Sequence, residues 1–329
     1  MVTWRRLALL ALLLLLGACS SDSVADIELE DRRAGPVGQP VGPWAQQDHF
    51  IPVPEPAGPR LIVARLCRPV GGAAGPRPLV LVNHGKPPTA GRVAGQTLPD
   101  CDTEYVRWFL QRGHAVFLPL RRGYGDSRGV VVEAYPPCDV ARDYTAGALE
   151  AARDMQAALD YATALPGIAA RGVVVVGQSA GGLGTVALAS LNDRRVAALV
   201  SMAGGDGGHF TGQANSVCQP AALLRAMARF GARARTPMLW VYTANDSYFS
   251  PTLAAAMYRS FTDAGGRAEL RQLPAFGTDG HMLFTGQGGP AVWGPVLERF
   301  LAHPGVAART QAHATLQTGS WMTARAGFP

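Results

Sequence analysis

Seven short apolar runs punctuate the chain: Leu61–Leu66, Leu79–Val82, Ala115–Leu120, Val173–Val176, Val196–Met202, Met238–Thr243 and Ala268–Leu273. Each gives way to a polar or glycine-rich turn, the pattern of a strand. Runs as continuous as Val173–Val176 suit a sheet buried on both faces. Between the strands, Leu149, Ala152, Met155, Leu159 and Ala162 recur at steps of three and four residues, which predicts an amphipathic helix. Ser250-Pro251 supplies an N-cap and a favoured first residue for another helix, and Gly265-Gly266 ends it. Strand–helix alternation of this kind predicts an α/β fold, with a mainly parallel sheet flanked by helices. No Pro/Gly linker divides residues 48–303, so one domain is expected there.

The ends of the chain read differently. Arg5 and Arg6 precede the ten-residue apolar run Leu7–Leu16, about half of the roughly 20 residues a membrane-spanning helix needs. A basic start, a short apolar stretch and small residues after it make an export signal. The junction Leu16-Gly17-Ala18-Cys19 resembles a bacterial lipobox. That resemblance implies removal of residues 1–18, acylation of Cys19 and a lipid anchor to a membrane. Ser20 then points to the periplasmic face of the outer membrane if the source is Gram-negative. Residues 19–47, rich in Ser, Asp, Gly and Pro, are expected to be a flexible tether. Residues 304–329 are expected to be a polar tail.

Composition narrows the function classes. Of 329 residues, 48% are hydrophobic and 16% charged, which excludes a disordered chain. The formal charge of +6 raises the question of nucleic acid, but Lys86 is the one lysine and the arginines are scattered. Without a basic run, no nucleic-acid partner is expected. Besides Cys19 there are four cysteines, and export would place them in an oxidising compartment. Three pairings are open. Cys138–Cys218 with Cys67–Cys101 is favoured, because Cys138 and Cys218 sit in Pro- or Asn-containing loops. No cysteine forms a CxxC or pairs with histidines at metal spacing, and there is no GxGxxG after a strand, Walker loop or HExxH. No metal or cofactor is expected.

The segment Gly177-Gln178-Ser179-Ala180-Gly181-Gly182 follows the strand Val173–Val176 and precedes the helical run Leu183–Leu191. This is G-x-S-x-G in the strand–turn–helix setting of a nucleophile elbow. Gly177 and Gly181 remove side chains that would collide with neighbouring backbone, and the helix N-terminus favours developing negative charge at Ser179. A serine hydroxyl needs a base, and the base needs an acid to orient it. In chain order Ser, acid, His, the histidine is His281, in the loop Phe276–His281; His303 and His313 read as surface residues. Asp246, at the end of Met238–Thr243 and 35 residues before His281, is the favoured acid, and Asp206 in Gly204–Gly208 is the alternative. Asn83-His84-Gly85-Lys86 leaves an early strand in the place of a second oxyanion donor. The backbone N–H groups of Lys86 and Ala180 are therefore assigned to the oxyanion hole, with His84 a structural residue of the turn.

Taken together, the HG turn, Arg122-Gly123-Tyr124-Gly125-Asp126-Ser127, GQSAGG, ANDSYF and FGTDGH resemble the α/β-hydrolase superfamily. Within it the likeness is to dienelactone-hydrolase-like proteins, over roughly residues 61–303. Dienelactone hydrolases proper carry a cysteine nucleophile where this chain has Ser179. The resemblance implies an α/β-hydrolase fold with a short cap region and a serine hydrolase acting on a small-molecule carboxylic ester through an acyl-enzyme. Residues 203–237 are too few for a large lid, so a fairly open site is expected, with Tyr124, Phe210, Trp240, Tyr248 and Phe249 as candidate walls; core packing is the other reading of these aromatics and the favoured one for Trp240. Alternatives are a serine peptidase of the prolyl-oligopeptidase type, an acyltransferase, and a non-catalytic envelope scaffold lipoprotein. The oligomeric state is not legible.

Overall fold

The computed structural model describes residues 32–311, apart from 72–74, 88, 134 and 136. The lipobox, Cys19, His313 and residues 312–329 lie outside the described residues. The frame is one nine-stranded sheet: β1 Gly35–Val41, β2 Gln46–Val53, β3 Arg60–Cys67, β4 Leu79–Asn83, β5 Ala115–Pro119, β6 Val173–Gln178, β7 Val196–Met202, β8 Met238–Thr243 and β9 Ala268–Leu273. Its spatial order is β1-β2-β3-β5-β4-β6-β7-β8-β9. The first three strands run antiparallel as far as the β3–β5 pair, and β5-β4-β6-β7-β8-β9 is parallel throughout. This is the α/β-hydrolase fold, and the order reverses at β4 and β6, where open α/β sheets place their sites.

Among the described residues seven helices cover the faces: α1 Glu104–Leu110, α2 Tyr144–Ala162, α3 Ala180–Ala189, α4 Pro220–Gly231, α5 Pro251–Asp263, α6 Gly289–Ala302 and α7 Pro304–Gln311. Period-two alternation divides the core. Leu79, Leu81, Val173 and Val175 pack with α2, α3, α4 and α5. Val80, Val82, Val174 and Val176 pack with α1 and α6 on the other face. The apolar runs of the central strands are continuous because each face needs its own set of side chains. The predicted amphipathic helix is α2, capped by Asp143, whose carboxylate accepts the Thr145 and Ala146 N–H groups. The Ser250-Pro251 start is the N-terminus of α5, with Ser250 Oγ accepting from Leu253 N.

Two boundaries differ from the sequence expectation. The tether expected through residue 47 does not extend that far, since Gly35–Val41 is β1 and Gln46 opens β2. The pattern hid them because β1 is an edge strand whose one buried side chain is Val37, and its GPVGQPV sequence reads as loop. The expected polar tail begins instead as α7. Val306 is buried and the Arg309 guanidinium donates to the carbonyls of Val196 and Ala197 at the start of β7. Both favoured disulfides are present: Cys67–Cys101 ties the end of β3 to the segment before α1, and Cys138–Cys218 joins two loops above the sheet.

Candidate active site

Ser179 sits between β6 and α3 at φ +53°, ψ −121°, a left-handed conformation that a non-glycine residue holds only under strain. The strain is enforced from both sides. Ser179 N–H donates to Met202 O at 3.0 Å, while Ser179 O accepts from the N–H groups of Leu183 and Gly205. The glycines around it have no room for a side chain. A Cβ on Gly177 would strike Gly181 O and Thr185 Oγ1, and one on Gly181 would strike the carbonyls of His84 and Asn83. A Cβ on Gly182 would come within 2.6 Å of Gly204 Cα.

The turn after β4 presses against this elbow. A Cβ on Gly85 would lie 3.1 Å from Ser179 Cβ and 3.8 Å from its Oγ. Lys86 and Ala180, whose N–H groups sequence reasoning assigned to an oxyanion hole, both line the space beside Ser179. As the first residue of α3, Ala180 has an N–H with no intrahelical acceptor. The turn is held from below by a buried set of polar groups. Arg121 donates through its guanidinium to His84 O at 2.7 Å and to Glu133, and its N–H donates to His84 Nε2 at 3.1 Å. His84 Nδ1 meets Gly85 O at 2.8 Å, so both ring nitrogens are engaged in the turn. Burial, with the Arg121 charge beside it, holds that imidazole well below its ordinary pKa.

His281 and Asp246 come together as the order of residues predicted. His281 Nδ1 lies 3.0 Å from Asp246 Oδ1, and both side chains are buried. The same oxygen accepts the N–H groups of Tyr248 and Phe249 at 2.8 and 3.0 Å. A carboxylate only accepts, so Nδ1 carries the proton and Nε2 is the basic atom. Asp206, the alternative acid, makes no bond to His281; Asp279 bonds only its backbone. Among the described residues Ser179 Oγ makes no hydrogen bond, and it shares one cleft with His281. Catalytic hydrogen bonds are often long in ligand-free enzymes.

Three supports of His281 escaped the sequence reading. Asn245 staples the loop that carries it: its Nδ2 donates to the carbonyls of Phe276 and Gly277, and its Oδ1 accepts from Phe276 N. Asp279 accepts the His281 and Ser247 N–H groups at 3.0 Å and the Ser247 hydroxyl at 2.6 Å. Tyr248 stacks on the His281 ring, with centroids 4.1 Å apart, and on its other face stacks on His209 at 4.0 Å. The signal lay in the ANDSYF and FGTDGH segments, in which the sequence reading assigns Asp246 and His281 to the triad and Tyr248 and Phe249 to the walls.

The cleft over Ser179 encloses about 840 Å³. Its walls are largely apolar, among them Val82, Tyr105, Leu118, Leu120, Met282 and Phe284. One wall is the excursion between β4 and α1, including Arg92, Gln96 and Pro99, whose far end the Cys67–Cys101 bridge anchors. The short cap region is therefore built largely by the segment after β4. Of the five candidate walls, Tyr248 lines this cleft and Phe210, Tyr248 and Phe249 line a smaller pocket beside it. Trp240 and Tyr124 are instead fully buried. Tyr124 bonds Glu133 through its hydroxyl and packs edge-on against His84.

A G-x-S-x-G elbow at the switch point of this sheet, with the histidine and acid on the loops after β9 and β8, defines an α/β-hydrolase architecture. Solved structures agree on the fold. An acetyl xylan esterase from Paenibacillus sp. R4 is similar at 19% identity and a TM-score of 0.54, over 84% of this chain and 88% of that one. The Pyrococcus furiosus esterase Pf2001 is similar at 15% identity and a TM-score of 0.54, over 78% and 92%. A Klebsiella pneumoniae protein described as a dienelactone hydrolase is similar at 17% identity and a TM-score of 0.50, over 79% and all of its own chain. No protein-family model and no curated protein matches the chain.

Proposed function

We propose that the protein is a serine hydrolase that cleaves carboxylic esters through an acyl-enzyme. The observation that carries this reading is the His281–Asp246 contact of 3.0 Å beside Ser179 on its strained elbow, in one cleft. Ser179 Oγ attacks the ester carbonyl while His281 Nε2 takes its proton, and the Lys86 and Ala180 N–H groups stabilise the oxyanion. Collapse of the tetrahedral intermediate expels the alcohol, which receives the proton from His281. A water then repeats the sequence on the acyl-enzyme, releases the carboxylic acid and regenerates Ser179. Asp246 holds the imidazole tautomer and balances the imidazolium charge in both halves.

The similar folds of two esterases support an ester substrate, and the largely apolar cleft supports an apolar group on one side of it. The test is hydrolysis of p-nitrophenyl butanoate by purified wild-type and Ser179→Ala protein. The wild type is expected to turn the ester over and the variant to lose at least about 1,000-fold in kcat; equal rates would end the reading. The lipobox-like segment supports export and a lipid anchor at Cys19, which mass spectrometry of the mature N-terminus checks. An unmodified Cys19 or an uncut leader would contradict it.

A further inference from the structure

The glycine-rich run Gly204–Gly208, which follows β7, has no part in the proposed mechanism, yet it carries a buried carboxylate. Asp206 is 8% exposed; one carboxyl oxygen accepts the Gly207 N–H, and Oδ2 has no partner. A buried acceptor left unpaired is destabilising, so its persistence points to a missing partner. The glycines give the carboxylate its setting, because side chains at Gly205 and Gly208 would run into the rings of Phe249 and Tyr248.

Asp206 lines a separate pocket of about 220 Å³, shared with Lys86, Arg142, Ser179, Phe210 and Tyr248. Ser179, Lys86 and Tyr248 also line the large cleft, so the serine stands where the two spaces meet. One space is large and largely apolar; the other is about a quarter its size and more polar. Arg142, which also lines the small pocket, has a buried Nε without an acceptor. Burial pushes the Asp206 carboxyl above its ordinary pKa, and the nearby Lys86 charge opposes that.

We infer that this pocket is a subsite for a short, hydroxyl-bearing portion of the ester, whose hydroxyl donates to Asp206 Oδ2 and accepts from Arg142 Nε. A hydroxyl is the simple group that supplies both a donor and an acceptor. A substrate ammonium would satisfy Asp206 but would be forced beside Lys86 and Arg142. A plain alkyl group would leave both atoms unpaired, which is how a polar site rejects an isostere. The inference rests on the serine-hydrolase reading and names the substrate class: extended and apolar on one side of the carbonyl, short and hydroxylated on the other.

The test uses two isosteric pairs, 2-hydroxyethyl hexanoate against propyl hexanoate and hexyl glycolate against hexyl propanoate. In one pair, the ratio of kcat/KM for the hydroxylated member to its isostere is expected to fall about 10-fold from wild type to Asp206→Leu. That is the value of about one hydrogen bond to a charged group. Asp206→Asn, which keeps an acceptor, is expected to fall between. Ratios unchanged by Asp206→Leu in both pairs would overturn the subsite, as would a crystal structure in which an ordered water satisfies Asp206 and stays when the hydroxylated ester binds. If Asp206→Leu does not fold, Arg142→Met is expected to lower the same ratio. Calorimetric binding of both pairs to Ser179→Ala reads the subsite without turnover. A hydroxyl preference there with no hydrolysis by the wild type would sink the hydrolase reading and leave the subsite standing. Equal binding of both members in each pair would overturn the subsite alone.

Discussion

Replacing Asp246 by asparagine separates the charge of the acid from its geometry. Three N–H groups converge on Asp246 Oδ1, from His281, Tyr248 and Phe249, whereas Oδ2 has no partner. An asparagine is therefore locked with its carbonyl oxygen in the Oδ1 position, and the His281 tautomer survives. What disappears is the negative charge that balances the imidazolium. At an effective dielectric constant of about 20 and a charge separation of about 4 Å, that attraction is worth about 4 kcal/mol. It translates to a loss of about 1,000-fold in kcat/KM. The new amide nitrogen, buried without an acceptor, adds about 1–3 kcal/mol of destabilisation, which a urea titration reads separately. Steady-state hydrolysis of p-nitrophenyl butanoate is the assay, with Asp206→Asn measured beside it and expected to lose less than about 10-fold. Activity of Asp246→Asn within 10-fold of wild type, or the larger loss in Asp206→Asn, would refute the assignment of the acid.

Three further outcomes follow from other contacts. Gly85→Ala places a Cβ 3.1 Å from Ser179 Cβ and 3.4 Å from Gln178 O. Misplacing the reacting group by a few tenths of an ångström is expected to cut kcat by about 10- to 100-fold while the urea midpoint barely moves, and an unchanged kcat would show that the turn does not abut the reacting group. Arg122→Met strands Asp154, whose two oxygens accept the Arg122 Nε–H and N–H at 2.6 and 2.7 Å in the core. The expected cost is about 3–5 kcal/mol in chemical denaturation; a loss below 1 kcal/mol would contradict the pairing. Burial pushes the Asp279 carboxyl up, but hydrogen bonds from the Ser247 hydroxyl and the His281 and Ser247 amides win and hold it below the ordinary value. Its stabilisation is thus present above the unfolded carboxyl's pKa of about 3.9 and lost as pH falls through the lower folded value. Asp279→Asn is accordingly expected to flatten the acid limb of the stability curve below about pH 4, and an unaltered limb would count against it.

The parallel half of the sheet was legible because its strands are buried on both faces, so Val173–Val176 and Met238–Thr243 announce themselves as apolar runs. The elbow was legible because close backbone approach demands glycine at 177 and 181, and chain order singled out Asp246 and His281. β1 was not legible, since an edge strand that buries only Val37 has no pattern to show. The cap was equally silent: the wall that Arg92, Gln96 and Pro99 supply has no period of its own, and its segment is held by the Cys67–Cys101 disulfide at one end and by the buried Arg121 at the other. Tyr124 is a core residue and not a wall, because aromatic side chains look alike in sequence whether they face a cleft or a helix; Trp240 packs in the core, the reading favoured for it. The supports of His281 were hidden for another reason. Asn245, Ser247 and Asp279 act through hydrogen bonds between two loops about 30 residues apart, a relation that sequence spacing does not display.

The proposed reaction requires that Ser179 be an activated nucleophile. Treating the intact protein with a fluorophosphonate and mapping the adduct by peptide mass spectrometry tests it without knowledge of the substrate. A single phosphonyl adduct is expected on the peptide containing Ser179, absent in Ser179→Ala and strongly slowed in His281→Ala. No adduct on the folded wild-type protein, or labelling at another residue that persists in Ser179→Ala, would contradict it.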